Sequence, residues 1–279
     1  MRSLFVLLLS TITIVPAAQA AGEPVVHQFS AGSTARASQV NQNFQDLADR
    51  IGGVYDYRDF RVADDVTQLS YRLEVDYSVA AAGSDPDLEI VTRVATPNGF
   101  KQRRRQYSGG LSGFLTQCLE LSFSENDSDF RLFNRSLYNT AVGMGGDCFD
   151  GTPVQSQDLT RAMPVLGTAM REGRTRSHDF KLEYYDAAML MDVSSVGLVH
   201  TTALGVEPLS LNLISGPRSW DACLKVHTRW YSRLMGGDVD RLAWYCPGVG
   251  LARSVEKRES TDAAVYGIRV TVRELSKIE

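Results

Sequence analysis

Strand-like alternation of apolar and polar side chains dominates the sequence from Val54 onward. A period of two is typical of β-strands, and turn residues separate the runs at short intervals. No run of helices alternates with the strands, which disfavours a parallel α/β fold. The pattern therefore predicts a mainly β protein, with an antiparallel curved sheet or half-barrel and a short N-terminal helix. Clear alternating runs lie at 69–77, 114–123, 130–137, 180–184 and 268–273.

The first 20 residues have the features of a secretory signal peptide. Arg2 precedes an apolar run over 4–15, and Ala18-Gln19-Ala20 fits a cleavage site. The run is too short to cross a bilayer, which takes about 20 apolar residues. We therefore predict a secreted or periplasmic protein with no membrane span in its mature chain. The predicted segments are a signal peptide (1–20), an N-terminal segment with an amphipathic helix (21–53) and a β-rich domain (54–279).

The chain has four cysteines, at positions 118, 148, 223 and 246. An even number in an oxidising compartment favours two disulfides, although three connectivities are possible. Loop entropy and hairpin proximity favour the sequence-local pairing of Cys118 with Cys148 and of Cys223 with Cys246. The cysteines do not have the short spacing that zinc sites or redox pairs need.

An amphipathic stripe precedes the β-rich region. Its apolar residues follow one another at spacings of three and four, which is the pattern of one helix face. A helix of this length is marginal alone, so the stripe needs a partner. It either docks on the following domain or forms a short coiled coil that joins copies of the chain in a homo-oligomer. The stripe consists of Ala37, Val40, Phe44, Leu47 and Ile51.

Part of this stripe resembles a known segment. The run Ala37-Ser38-x-Val40-Asn41-x-Asn43-Phe44-x-x-Leu47 is similar to segments of many exported bacterial proteins and of phage tail-fibre proteins. The resemblance implies no particular function.

A structural turn is predicted around Trp244. Pro247 cannot donate a ladder hydrogen bond and so ends or bends the strand. Pro247-Gly248 suits the central positions of a type II turn. Gly250 then marks a bulge or a close approach of two backbones. Together these residues predict a corner in a sharply bent sheet.

The last third of the chain resembles a family of uncharacterised exported bacterial β-domains. The family carries a Trp-Tyr-x-Pro-Gly-Val-Gly-Leu signature, which stands here at 244–251. The resemblance implies an antiparallel curved sheet or half-barrel, similar to periplasmic lipoprotein carriers. It implies no known activity.

Motifs of catalysis are missing from the sequence. The histidines, His27, His178, His200 and His227, have no metal-binding spacing, and no G-x-S-x-G elbow occurs. The formal net charge of −4 gives no electrostatic footprint for nucleic acid. We therefore predict no catalytic residues, no metal, no cofactor and no nucleic-acid partner.

The basic run Lys101–Arg105 falls within a predicted strand. Alternation would place Arg103 and Arg105 on one face and Arg104 on the other. The sequence favours a charged edge strand, which resists pairing with other sheets. The alternative is a site for an anion or a lipid headgroup.

Three functions follow from these patterns, and none comes with assigned ligand-binding residues. The favoured one is a non-enzymatic exported β-protein whose curved sheet encloses an apolar small molecule or a lipid. The second is a structural or assembly protein that oligomerises through the N-terminal helix. The third is a hydrolase whose histidines meet a nucleophile only in the fold.

Overall fold

The computed structural model describes residues 36–42, 53–78, 85–125, 129–138, 147–167, 169–186, 191–232, 237–259 and 267–279. The chain divides into two compact units, Met1–Ile51 and Gly52–Glu279. In the first unit a short helix over 37–42 confirms the predicted N-terminal helix. Ala37 is exposed on it and Val40 is half-buried. Phe44, Leu47, Ile51 and the predicted signal peptide lie outside the described residues.

The second unit is built from strands. The described residues form fourteen of them, together with three short 3-10 helices at Tyr57–Phe60, Gly110–Ser112 and Cys148–Asp150. The strands are β1 (Val54–Tyr55), β2 (Gln68–Tyr77), β3 (Leu88–Thr96), β4 (Gly99–Ser108), β5 (Phe114–Glu125), β6 (Asp129–Tyr138), β7 (Gln155–Gly167), β8 (Met170–Arg171), β9 (Thr175–Asp186), β10 (Met191–Leu213), β11 (Gly216–Ser232), β12 (Gly237–Cys246), β13 (Gly250–Glu259) and β14 (Ile268–Ile278).

Twelve of these strands form a closed antiparallel barrel, in the order β10-β11-β12-β13-β14-β2-β3-β4-β5-β6-β7-β9. The mainly β, antiparallel prediction is confirmed, but the curved sheet or half-barrel is wrong. The ring closes because β2 pairs with β14, as in Val75 opposite Thr271, and because β9 pairs with both β7 and β10. Closure leaves these strands without the free edges that an open sheet would expose.

The predicted edge strand is also wrong. β4, which contains Lys101–Arg105, pairs with β3 on one side and with β5 on the other. Its alternation is as predicted, since Arg104 lines the barrel interior. On the opposite face Arg103 contacts Glu120 at 2.9 Å, and Arg105 contacts Asp147 at 2.6 Å.

Two disulfides bridge sequence-local cysteine pairs. Cys118–Cys148 ties the 3-10 helix at Cys148–Asp150 to β5, and the ring of Phe149 there lies under the guanidinium of Arg105. Cys223–Cys246 joins the neighbouring strands β11 and β12. Each disulfide reduces the conformational entropy of the unfolded chain, which stabilises the folded barrel.

The turn after β12 brings two distant segments together. The Val249 amide donates to the Cys246 carbonyl at 3.3 Å, and Gly248 has φ +78°, which is type II turn geometry. Gly250, with φ +64°, lies against Val62, whose Cγ2 would be 2.8 Å from an added Cβ. The Ala63 amide also donates to the Gly248 carbonyl at 2.9 Å. This turn therefore anchors the chain segment that precedes β2.

That segment also contributes side chains to the barrel interior. It contains β1, which pairs with β8 in a separate two-stranded sheet, and the 3-10 helix Tyr57–Phe60. Tyr57 and Phe60 are buried and line the barrel interior. Within the part of the chain that the structure describes, none of the helices has the length and apolar character that crossing a bilayer requires.

Candidate functional site

The barrel encloses a cavity of about 390 Å³. A barrel of about eight strands is filled by its own side chains, whereas one of about 16 leaves an open channel. With twelve strands, the lumen has room beyond what its side chains fill. The volume is within the range of small-molecule sites, about 300–1,000 Å³.

One wall of the cavity is apolar and aromatic. The rings of Phe100, Phe123 and Phe130 stack on one another, with centroids 4.7–5.3 Å apart. Tyr57, from the segment that precedes β2, stacks on Phe130 at 5.8 Å. Strands β5, β6, β7, β10 and β11 extend this wall with Leu119, Leu121, Leu132, Met163, Val165, Val199 and Trp230.

The remaining wall is rich in arginine. Its side chains come mainly from β3, β4, β12, β13 and β14, which are close together in the strand order. Among the described residues, the cavity is lined by more arginines than carboxylates. The arginines are Arg61, Arg93, Arg104, Arg135, Arg241, Arg258, Arg269 and Arg273, and the carboxylates are Glu89, Glu125 and Glu256.

A buried ionic cluster forms the centre of this wall. Glu89 is 2% exposed, and it pairs with Arg273, which is 8% exposed. The Gln106 amide donates to Glu89 at 2.8 Å. The Arg273 guanidinium lies 3.9 Å from the centre of the Tyr71 ring, and the Tyr71 hydroxyl donates to the Leu251 carbonyl at 2.8 Å. These contacts hold Arg273 in a fixed position.

Positive charge predominates in this cluster. Burial alone would raise the pKa of Glu89, but Arg273, Arg104, the Gln106 hydrogen bond and Arg241 together hold it below its ordinary value. Burial lowers the pKa of Arg104 to about 10, and repulsion from Arg273 and Arg241 adds to this. Three guanidinium groups therefore share one carboxylate in a poorly solvated place, which is unfavourable without further negative charge.

The hydrogen-bonding capacity of these arginines is only partly used. Arg104 donates to the Gln102 side chain at 2.8 Å. The Nε groups of Arg104, Arg241, Arg269 and Arg273 are buried without a hydrogen-bond partner. Buried donors in proteins are normally paired. Within the described residues, the wall thus holds more donors than its own acceptors satisfy.

A second pair of arginines lines the cavity from β6 and β13. Burial and repulsion from Arg258 lower the pKa of Arg135. Arg135 donates to the Gln157 side chain at 3.2 Å, and Arg258 donates to Glu256 at 3.1 Å. The positive potential therefore extends along the lumen beyond the central cluster.

The histidines lie elsewhere. His200 contacts the Ser177 hydroxyl at 2.7 Å, but Ser177 is exposed and neither residue lines the cavity. His227 contacts Asp240 at 2.8 Å and is also outside the cavity lining. His27 lies outside the described residues. No three metal-ligating side chains cluster within the ranges that the structure describes.

No ligand-binding residues were predicted from the sequence. The nearest signal in the sequence was Arg104, for which an anion or headgroup site was the alternative to an edge strand. Arg269 and Arg273 also carried a signal, because they alternate with valines on β14. The structure turns these arginines inward, with Val270 and Val272 on the outer face. Arg241 stood in no pattern that could have identified it.

Comparisons with known proteins give a distant likeness in fold. No family model matches the sequence, and no curated protein matches it. A candidate lipoprotein from Parabacteroides distasonis is 12% identical, covering 81% of this chain and all of its own, with a TM-score of 0.38. A candidate exported protein with a YmcC-like fold, from Bacteroides fragilis, is also 12% identical. It covers 79% of this chain and 98% of its own, with a TM-score of 0.30. Neither likeness is close enough to indicate a function.

Proposed function

We propose that the protein is exported and non-enzymatic, and that its barrel encloses an apolar or lipid-like ligand. The observation that carries this proposal is the aromatic wall of the 390 Å³ cavity, where Phe100, Phe123 and Phe130 stack on one another. Ligand pockets are concave and mostly apolar, with a few polar groups that fix orientation. Two disulfides fit an oxidising compartment, and the predicted signal peptide at 1–20 gives the route of export.

A lumen-filling variant tests this proposal. Leu119→Trp adds bulk to a side chain on the cavity wall, so it should abolish binding of a neutral apolar fluorescent probe such as N-phenyl-1-naphthylamine. Leu204→Trp is the matched control, because Leu204 is an exposed residue outside the cavity lining. Fluorescence titration measures both. Failure of the unmodified protein to bind, or equal binding by both variants, would refute a lumenal ligand site.

Assembly through the N-terminal helix is the second candidate function. It is supported by the helix over 37–42, on which Ala37 is exposed and Val40 is only half-buried. Sedimentation of the mature chain with and without residues 21–53 tests it. An oligomer that becomes monomeric on truncation is the expected result, and a monomer in both cases would exclude the assembly role.

A further inference from the structure

We infer that the lumen binds an amphiphile through an anionic headgroup, a carboxylate or a phosphate ester, held by Arg104, Arg241 and Arg273. This inference rests on the proposed function, because the aromatic wall would hold the apolar part of the same ligand. It adds the chemical class of the headgroup and the residues that recognise it.

Among the described residues, only some of the lumenal arginines have a carboxylate partner. Three lumenal arginines have a carboxylate partner within the cavity lining: Arg61 with Glu125 at 3.4 Å, Arg258 with Glu256 at 3.1 Å, and Arg273 with Glu89. Arg93 pairs with Asp64 at 3.3 Å, outside that lining. Among the described residues, no carboxylate forms an ion pair with the rest, which are Arg104, Arg135, Arg241 and Arg269.

If the lumenal charges served only to form structural ion pairs, the lining would need equal numbers of positive and negative groups. A buried charge without a partner is costly, and proteins normally neutralise it. The lining of this lumen has an excess of positive charge, although the chain as a whole has a formal net charge of −4. The excess is therefore a local feature of the lumen, and an anion is the group that would compensate it.

Several hydrogen-bond donors of the lumenal arginines are also unused. Within the described residues, the Arg241 side chain donates no hydrogen bond, and the Arg104 side chain donates one, to the Gln102 side chain. Arginine presents five donors in a planar fork that matches carboxylate and phosphate oxygens. Arg104, Arg241 and Arg273 all line the cavity, Arg273 forms an ion pair with Glu89, and the charges of all three act on that carboxylate. They can therefore converge on a single headgroup.

The arginine-rich wall and the aromatic wall of the cavity adjoin at β4. The arginines project mainly from β3, β4, β12, β13 and β14, and the aromatic wall continues from β4 through β5 and β6. β4 carries both kinds of residue, with Phe100 and Arg104 four positions apart and facing the same lumen. A ligand between the walls would present its charged end to one and its chain to the other.

Calorimetric titration with a matched series of twelve-carbon compounds tests the inference. The probes are dodecanoate, dodecyl phosphate, dodecanol and dodecyltrimethylammonium, with inorganic phosphate as a headgroup alone. The mature protein is first stripped of bound lipid on a hydrophobic resin. The anionic amphiphiles should bind at least about tenfold more tightly than the alcohol, and the cationic one should bind most weakly.

Three variants test which arginines recognise the anionic headgroup. Arg104→Gln and Arg241→Gln should each weaken binding of dodecanoate by about tenfold or more and leave binding of dodecanol unchanged. Arg72→Gln, at an exposed arginine on β2 outside the cavity lining, should leave both unchanged. Circular dichroism of each variant shows whether its barrel is folded.

The outcomes separate the two proposals. Equal binding of dodecanol and dodecanoate, unaffected by the arginine variants, overturns the anionic headgroup but retains the apolar ligand. Inorganic phosphate that binds as tightly as dodecyl phosphate supports the anion site and overturns the apolar ligand. No binding of any probe overturns both.

Discussion

Replacing Glu89 by glutamine should strongly destabilise the barrel. The substitution keeps the size of the side chain, so it opens no cavity, but it removes the carboxylate that pairs with Arg273 and whose charge also acts on Arg104 and Arg241. Breaking a buried ion pair by removing one partner costs about 3–5 kcal/mol, because a buried charge is left uncompensated. For a domain of this size that corresponds to a decrease in Tm of roughly 6–20 °C.

Urea and thermal unfolding, followed by circular dichroism, measure this cost. Glu74→Gln on β2 is the control, because Glu74 is exposed and outside the cavity lining. The double variant Glu89→Gln/Arg273→Met should recover much of the loss, since it removes both charges. A Glu89→Gln protein within about 1 kcal/mol of the unmodified one would refute the view that this carboxylate compensates the arginines.

Acid should narrow the difference in unfolding free energy between the unmodified and Glu89→Gln proteins. The pKa of Glu89 is lowered in the folded state, so its contribution to stability is complete above the unfolded value of about 4.3. That contribution is lost as the pH falls through the lower, folded value. Unfolding free energies measured between neutral pH and about pH 3 should therefore converge for the unmodified and Glu89→Gln proteins. A difference that stays constant over this range would contradict the assigned charge state.

Two further predictions concern the scaffold. The double variant Cys118→Ser/Cys148→Ser should lose about 3–4 kcal/mol of unfolding free energy in urea, because the disulfide that it removes closes a loop of 30 residues. Dithiothreitol should then destabilise this variant less than it destabilises the unmodified protein. An unchanged urea midpoint would show that the bond is dispensable. Gly250→Ala should lower the unfolding free energy by about 1–3 kcal/mol from positive φ alone, and by more because of the contact with Val62. Its loss of stability should therefore exceed that of Gly216→Ala, where φ is also positive but the space is open. Equal losses of stability would exclude an effect of the Val62 contact.

The positions of individual strands could be predicted from the sequence, but the closure of these strands into a barrel could not. The alternating runs at 69–77, 114–123 and 268–273 fall within β2, β5 and β14. The alternation of a curved sheet and of a barrel is the same, because both have one inner and one outer face. What closes the ring is the pairing of β2 with β14, near opposite ends of the unit. Nothing local to either strand specifies this partner.

The candidate site was harder to foresee than the fold. Sequence patterning assumes that the apolar face of a strand points inward. On β14 that assumption fails, since Arg269 and Arg273 line the lumen while Val270 and Val272 face outward. On β4 the alternation of Arg103, Arg104 and Arg105 was correct, but only the closed ring distinguishes an inner face from an outer one.

The inward arginines also explain how a barrel of this size keeps an open lumen. Long side chains of like charge do not collapse on one another, because their mutual repulsion opposes close packing. Phe100, Phe123 and Phe130 pack against each other on one wall, whereas the other wall holds Arg104, Arg241 and Arg273, whose like charges repel. A lumen filled only by apolar side chains would instead close to native packing density. Under the proposed function, the arginines that leave room for the ligand also select its charge, so removing Arg104 or Arg241 should change ligand preference and lumen packing together.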